Sequence, residues 1–214
     1  MKYIKQYGIQ RSGTNYMRAV FEMNTDCRVL ANIGGFKHGK ITNKTDYSQV
    51  KTELSKEEIA KIDSMLQQGK IPKIVIIRNP YSWIPSIARY LNKKITLYFI
   101  QEQLWKYIEL NTHWVENCDY IIYYEELLCC PDKILQNCSK VLRINITSDK
   151  LILPDNVMQR GGDIPAEKNI SKTPFDADYI LKERYMDKLT SDEIELIRQM
   201  EIKYMDFLKR PLVK

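Results

Sequence analysis

The chain of 214 residues reads as an α/β protein, a three-layer sandwich around a mostly parallel central sheet. Three observations predict this. The run KIVIIR (73–78) is short, β-branched and apolar almost throughout, the pattern of a strand buried on both faces of a parallel sheet. Runs of this kind alternate with segments of helical period, which is the signature of βαβ units. The two most polar, glycine- or proline-bearing turns, 8–15 and 78–86, both follow predicted strands directly. In open parallel sheets, ligands sit beyond the carboxyl ends of strands.

Taken in order, residues 3–8 form a first strand, and the loop after it opens a helix over about 14–23. CRVLANI (27–33) is a second strand, and GGFKHGKI (34–41) is a loop. Ser55 and Glu58 form a capping box that starts a helix reaching about Gln68, where Gly69 stops it. The strand at 73–78 leads through RNP into a short helix over 81–91, with Pro85 expected in its first turn, where a missing N–H costs little. A long helix spans 97–117, with an apolar stripe of Leu97, Ile100, Leu104, Ile108 and Val115 and with Trp105 and Trp114 beside it. DYIIYYEEL (119–127) contains another strand. Pro131 begins a helix whose apolar face holds Ile134, Leu135, Cys138, Val141 and Leu142. Residues 148–177 read as irregular, and a last helix opens with the Thr190/Glu193 capping pair and runs to about Leu208.

Composition narrows the function. A hydrophobic share of 44% and a charged share of 28% describe an ordinary globular chain. No linker, repeat or low-complexity tract divides it, so residues 1–214 are expected to form a single domain. No apolar run reaches the ~18 residues of a membrane span, and the N-terminus enters a strand pattern with no signal peptide before it. A cytoplasmic location is therefore expected. The five cysteines are odd in number and form no C-x-x-C pair, which points to buried free thiols in a reducing compartment and not to a metal site. The net charge of +6 comes from scattered basic residues without a nucleic-acid motif, so an anionic small ligand fits better than nucleic acid.

The chemistry lies in the two turns. Gly8 to Gly13 has the G-x-x-x-x-G spacing of a phosphate loop, but Thr14 and Asn15 stand where an ATP-binding loop carries Lys and Ser or Thr. A glycine loop opening a helix aims backbone N–H groups at an anion, and the helix dipole adds to the attraction. Arg11, Ser12, Thr14 and Asn15 add side-chain donors, and Gly13 lets the backbone come close. The plain alternative is a tight turn whose polar residues cap the helix. In the second turn, RNPYSWIPS, Arg78 ends a buried strand and needs a partner for its charge, either a ligand or an internal carboxylate. Ser86 lies one to two helical turns farther on.

Together the turns resemble the signatures of the sulfotransferases that use 3′-phosphoadenosine 5′-phosphosulfate (PAPS). RSGTN (11–15) is similar to that family's 5′-phosphosulfate loop, and RNPYSWIPS (78–86) to its 3′-phosphate segment. The stretch 119–144 resembles its strand–loop–helix, with Glu126 in place of an Asp, and LWKYIELNTHW resembles the tryptophan-bearing helix before it. The resemblance implies a P-loop-like fold and sulfonate transfer to an acceptor hydroxyl, with adenosine 3′,5′-bisphosphate (PAP) as product and no metal required. It implies that Arg11, Ser12, Gly13, Thr14 and Asn15 bind the 5′-phosphosulfate. Tyr16 would lie at the adenine, and Arg78 and Ser86 at the 3′-phosphate. It also gives low-complexity-free MQRGGDIPAEKN the part of a late loop, with Arg160 and Gly161 over the 3′-phosphate. The base would be His38, beside Lys37, where the family carries K-x-H. His113 is expected to be structural, and Glu22 is a reserve base or a surface carboxylate. A P-loop kinase or NTPase and a non-catalytic nucleotide-binding protein are the alternatives. The acceptor is expected to be a glycan or a small molecule, and the oligomeric state is not encoded in any feature of the chain.

Overall fold

A computed structural model describes residues 2–48, 50–158, 163–164 and 170–209. Four strands, β1 (Lys2–Tyr7), β2 (Cys27–Leu30), β3 (Lys73–Ile77) and β4 (Tyr120–Tyr123), form one sheet in the order β2-β1-β3-β4. All three pairings are parallel, with Lys5 opposite Leu30, Gln6 opposite Ile74 and Val75 opposite Ile121. The parallel α/β sandwich expected from the apolar runs is the fold observed.

Strand alternation divides the core between two faces. Ile4, Val29, Ile74, Ile76 and Ile122 pack against α1 (Thr14–Asn24), α5 (Tyr124–Cys129) and α6 (Pro131–Leu142). Tyr7, Val75, Ile77 and Ile121 face α3 (Pro80–Leu91), α4 (Leu97–Asn117) and α8 (Ser191–Tyr204). Helix α2 (Lys56–Gln67) covers the β2 edge through Ile59, Ile62 and Leu66. Both capping boxes form as the sequence predicts, Ser55 with Glu58 and Thr190 with Glu193. Among the described residues no helix is long and apolar enough to cross a membrane.

Several local expectations are corrected. Pro85 lies inside α3 and not in its first turn, because Asn79 caps the helix and Pro80 opens it. Leu97 and Trp105 are 48% and 46% exposed, so the buried stripe of α4 is Ile100, Leu104, Tyr107, Trp114 and Val115. Val141 faces solvent. Cys27, Cys118 and Cys138 are buried, but Cys129 and Cys130 are exposed, with their sulfurs 3.5 Å apart. The stretch read as irregular contains an antiparallel pair, β5 (Asn156–Met158) with β6 (Ile170–Pro174), and a short α7 (Asp178–Leu181) follows it. The last helix ends at Tyr204, followed by a 3₁₀ turn over Asp206–Lys209.

Candidate functional site

The loop from Gly8 to Gly13 joins β1 to α1, and its glycines are there for stereochemical reasons. A Cβ on Gly8 would meet Ser12 Oγ at 2.6 Å and the Ile76 carbonyl at 2.9 Å. Gly13 has φ +94°, and a Cβ there would sit 2.3 Å from the Tyr124 ring. Arg11 also has positive φ, 68°, which for a residue with a side chain costs on the order of 1 kcal/mol or more. Helix α1 starts without a side-chain cap, unlike α2, α4 and α8, whose Ser or Thr caps are formed, and without an acidic residue in its first turn, unlike α2 and α8. Ser12 Oγ is buried and has no hydrogen-bond partner among the described residues. The plain reading, in which the polar residues of this turn cap the helix, therefore does not describe Ser12.

The second turn comes to the first. Arg78 is 6% exposed at the end of β3. Its Nη1 donates to the Arg11 carbonyl at 2.9 Å, its Nε to Ser82 Oγ at 2.8 Å and its Nη2 to the Ser82 carbonyl at 3.0 Å. Its guanidinium also lies over the Tyr124 ring at 5.2 Å, and burial lowers its pKa. These bonds use three of its five N–H groups. The nearby Glu125 reaches it through Ser82, whose Oγ is 2.9 Å from Glu125 Oε1, and both oxygens of Glu125 accept from Asn79 N at 3.2 Å. Arg11 is exposed, with Nε 3.5 Å from Ser86 Oγ and its guanidinium 5.6 Å from the Tyr90 ring. A cleft of about 500 Å³ opens beside Ser86, lined among others by Arg89, Lys93, Lys94, Tyr179 and Lys188.

The third part of the site leaves the sheet edge after β2. The Gly8 N–H donates to the Lys37 carbonyl at 3.1 Å, and His38 Nδ1 lies 2.5 Å from the Gly8 carbonyl oxygen. A carbonyl only accepts, so Nδ1 carries the proton and Nε2 keeps its lone pair. Burial, reinforced by Lys37 and Lys5, lowers the His38 pKa to about 3. Lys37 is buried, and its Nζ donates to Asn15 Oδ1 at 2.6 Å. Burial and the neighbouring Arg18 lower its pKa to about 8.

The remaining residues fall into place more plainly. Thr14 is buried and Asn15 half-buried at the start of α1. Tyr16 stacks on Phe175 at 4.6 Å and meets Tyr124 edge-on at 6.2 Å. Glu22 accepts from Arg18 Nε at 3.1 Å and from Val29 N at 2.9 Å, a structural position. His113 Nε2 accepts from Ile41 N at 3.2 Å. Arg160 and Gly161 lie outside the described residues.

Sequence reasoning missed Lys5 and Asp163. Both are fully buried; Lys5 Nζ donates to the carbonyls of Ala31 at 2.5 Å and Gly35 at 2.6 Å, and Asp163 accepts from the N–H groups of the same turn. For Lys5 a signal was available: strand alternation puts it on the same face as Tyr3 and Tyr7, where a charge is out of place. For Asp163 there was none, because its partners are more than a hundred residues away.

A search of solved structures finds similarity to a chain described as "Sulfotransferase Domain from the Curacin Biosynthetic Pathway". The two are 16% identical, with 94% of this chain and 98% of that chain covered and a TM-score of 0.43. No family model and no curated protein matches the sequence.

Proposed function

We propose that the chain is a sulfotransferase that moves a sulfonate group from PAPS to an acceptor hydroxyl. The observation that carries this reading is the meeting of the two motif turns. RSGTN and RNPYSWIPS are separated by more than sixty residues in sequence. Yet Arg78 binds the Arg11 carbonyl and Arg11 reaches Ser86, at the carboxyl ends of adjacent parallel strands. A ligand with two separated anionic ends suits this arrangement. One end would meet the uncapped start of α1, Arg11 and the unpartnered Ser12 hydroxyl. The other would meet Ser86 and the cationic cleft beside it.

When bound, the donor supplies a sulfonate on a phosphate leaving group. In this reading the acceptor hydroxyl attacks sulfur in line, its proton passes to His38 Nε2, and the sulfur–oxygen bond to the 5′-phosphate breaks. Arg11 and the α1 N-terminus take up the charge on the departing phosphate oxygen. A base with a pKa of about 3 is weak. Part of that lowering comes from Lys37 and Lys5, and an anionic donor beside Lys37 would oppose it. The kinase reading loses support from Glu125, the nearest candidate for a magnesium-binding acid, because its carboxylate is engaged by Asn79 N and Ser82.

The test is thermal stability with adenosine 3′,5′-bisphosphate and, separately, with ATP and magnesium. Stabilisation by the bisphosphate is expected by mass action. Stabilisation by ATP–magnesium alone would remove the sulfotransferase reading. A screen of hydroxyl acceptors with labelled PAPS, glycans first, then identifies the acceptor class.

A further inference from the structure

The segment that carries Lys37 and His38 begins with a tight turn at the end of β2, and two buried side chains, Lys5 and Asp163, hold that turn from opposite sides. Three successive backbone N–H groups converge on one carboxyl group. Ala31 N donates to Asp163 Oδ1 at 2.6 Å, and Asn32 N and Ile33 N donate to Oδ2 at 2.9 and 3.2 Å. On the carbonyl side, Lys5 Nζ takes Ala31 O and Gly35 O. The turn closes on itself through Gly35 N to Asn32 O at 3.2 Å. Two residues later the chain makes its bonds to the glycine loop, from Gly8 N to Lys37 O and from His38 Nδ1 to Gly8 O.

Asp163 is anchored in its own right. Its N–H donates to the Lys51 carbonyl at 2.8 Å, and it pairs with Thr52 in an isolated parallel bridge. Its carbonyl accepts from Arg28 Nη2, and the next carbonyl, of Ile164, accepts from Arg18 Nη2 on α1. A residue from the late part of the chain thus fills a nest of amide donors that would otherwise attract a free anion.

We propose that Asp163 is a positioning residue. With Lys5 bonded to the carbonyls on the other side, it fixes the 31–35 turn, and through that turn it sets the ring orientation and tautomer of His38 against the glycine loop. The proposal rests on the sulfotransferase reading only for calling His38 the base; the geometric coupling stands apart from it.

The chain has two histidines, so long-range proton–nitrogen NMR of the imidazoles reads His38 directly, with His113 as internal reference. Spectra are taken at about pH 8, above the ordinary histidine pKa of about 6.5. In the wild type His38 is expected as the Nδ1-protonated form. In Asp163→Ala the ratio of Nδ1- to Nε2-protonated forms should fall roughly fivefold or more, the factor a hydrogen bond of ordinary net strength supplies. Formate should restore it by occupying the vacated nest. Asp163→Asn, which keeps one acceptor oxygen, should lie between. A folded Asp163→Ala protein with an unchanged His38 tautomer overturns the proposal, as does one whose altered tautomer ignores formate. If the variants do not fold, native-state hydrogen exchange of the wild type in mild urea decides. The amides of 31–33 and the His38 signature should be lost in one opening step, and separate steps overturn the coupling. Failure of the sulfotransferase reading would appear as no response to adenosine 3′,5′-bisphosphate and would leave these readouts unaffected.

Discussion

Arg11 and Arg78 stand just beyond the ends of adjacent parallel strands, in the two polar turns that follow them, yet the structure uses them in opposite ways. Arg78 is turned inward, its charge solvated by Ser82 and by the Arg11 carbonyl. Arg11 is exposed on a strained backbone, near Ser86, Tyr90 and Arg89. One arginine builds the loop and the other is presented by it. The same residue type therefore divides into an inward-facing and an exposed part, and the division follows from burial: a charge at the end of a buried strand must find internal partners, whereas one at a loop tip need not.

The sharpest way to break this comparison is Arg78→Ala. It strips the Arg11 carbonyl and Ser82 of their donor and leaves Glu125 without its nearby cation, so a loss of roughly 3 kcal/mol or more in urea denaturation is expected. Gly13→Ala should come next. Its Cβ would strike the Tyr124 ring at 2.3 Å with φ at +94°, and a loss of roughly 2–3 kcal/mol is expected from overpacking and strain together. Arg11→Gly should do the reverse. Relief of the positive φ is expected to leave stability unchanged or to raise it by up to about 1 kcal/mol, while affinity for adenosine 3′,5′-bisphosphate falls at least ~10-fold, as loss of a charge-assisted contact implies. Equal losses of stability for Arg11→Gly and Arg78→Ala would erase the distinction.

A smaller effect tests the neighbouring loop by pH. His38 has an ordinary pKa of 6.5 when unfolded and about 3 when folded, so between these values the unfolded chain binds more protons. The His38 contribution to stability is therefore complete above about pH 6.5 and is lost as pH falls towards 3. His38→Gln should flatten this acid limb in pH-dependent thermal melts. A limb of unchanged slope would show that the imidazole is not buried as described.

Much of the fold was legible because its signals are local. KIVIIR carries the sign of a strand buried on both faces, and the S-x-x-E and T-x-x-E capping boxes mark two helix starts within a residue. Pro85 lies well inside α3 because Asn79 caps the helix and Pro80 opens it, one residue before the expected start. The β5–β6 pair is not legible because β5 has three residues, too few to show alternation, and β6, ISKTP, carries one large apolar residue. In the site, the order and spacing of Gly8, Arg11, Gly13, Arg78 and Ser86 were visible, as was the candidacy of His38.

By itself, then, the sequence determined the layer architecture, the placing of both polar turns after strands and the residue types gathered there, since periodicity and turn chemistry act over a few residues. Only the tertiary structure decided that Arg78 faces inward and Arg11 outward, that His38 is held in one tautomer by Gly8, and that Asp163 closes the turn before it. Those outcomes depend on which groups are left to satisfy a buried charge or amide once distant segments have packed, and no local pattern carries that information.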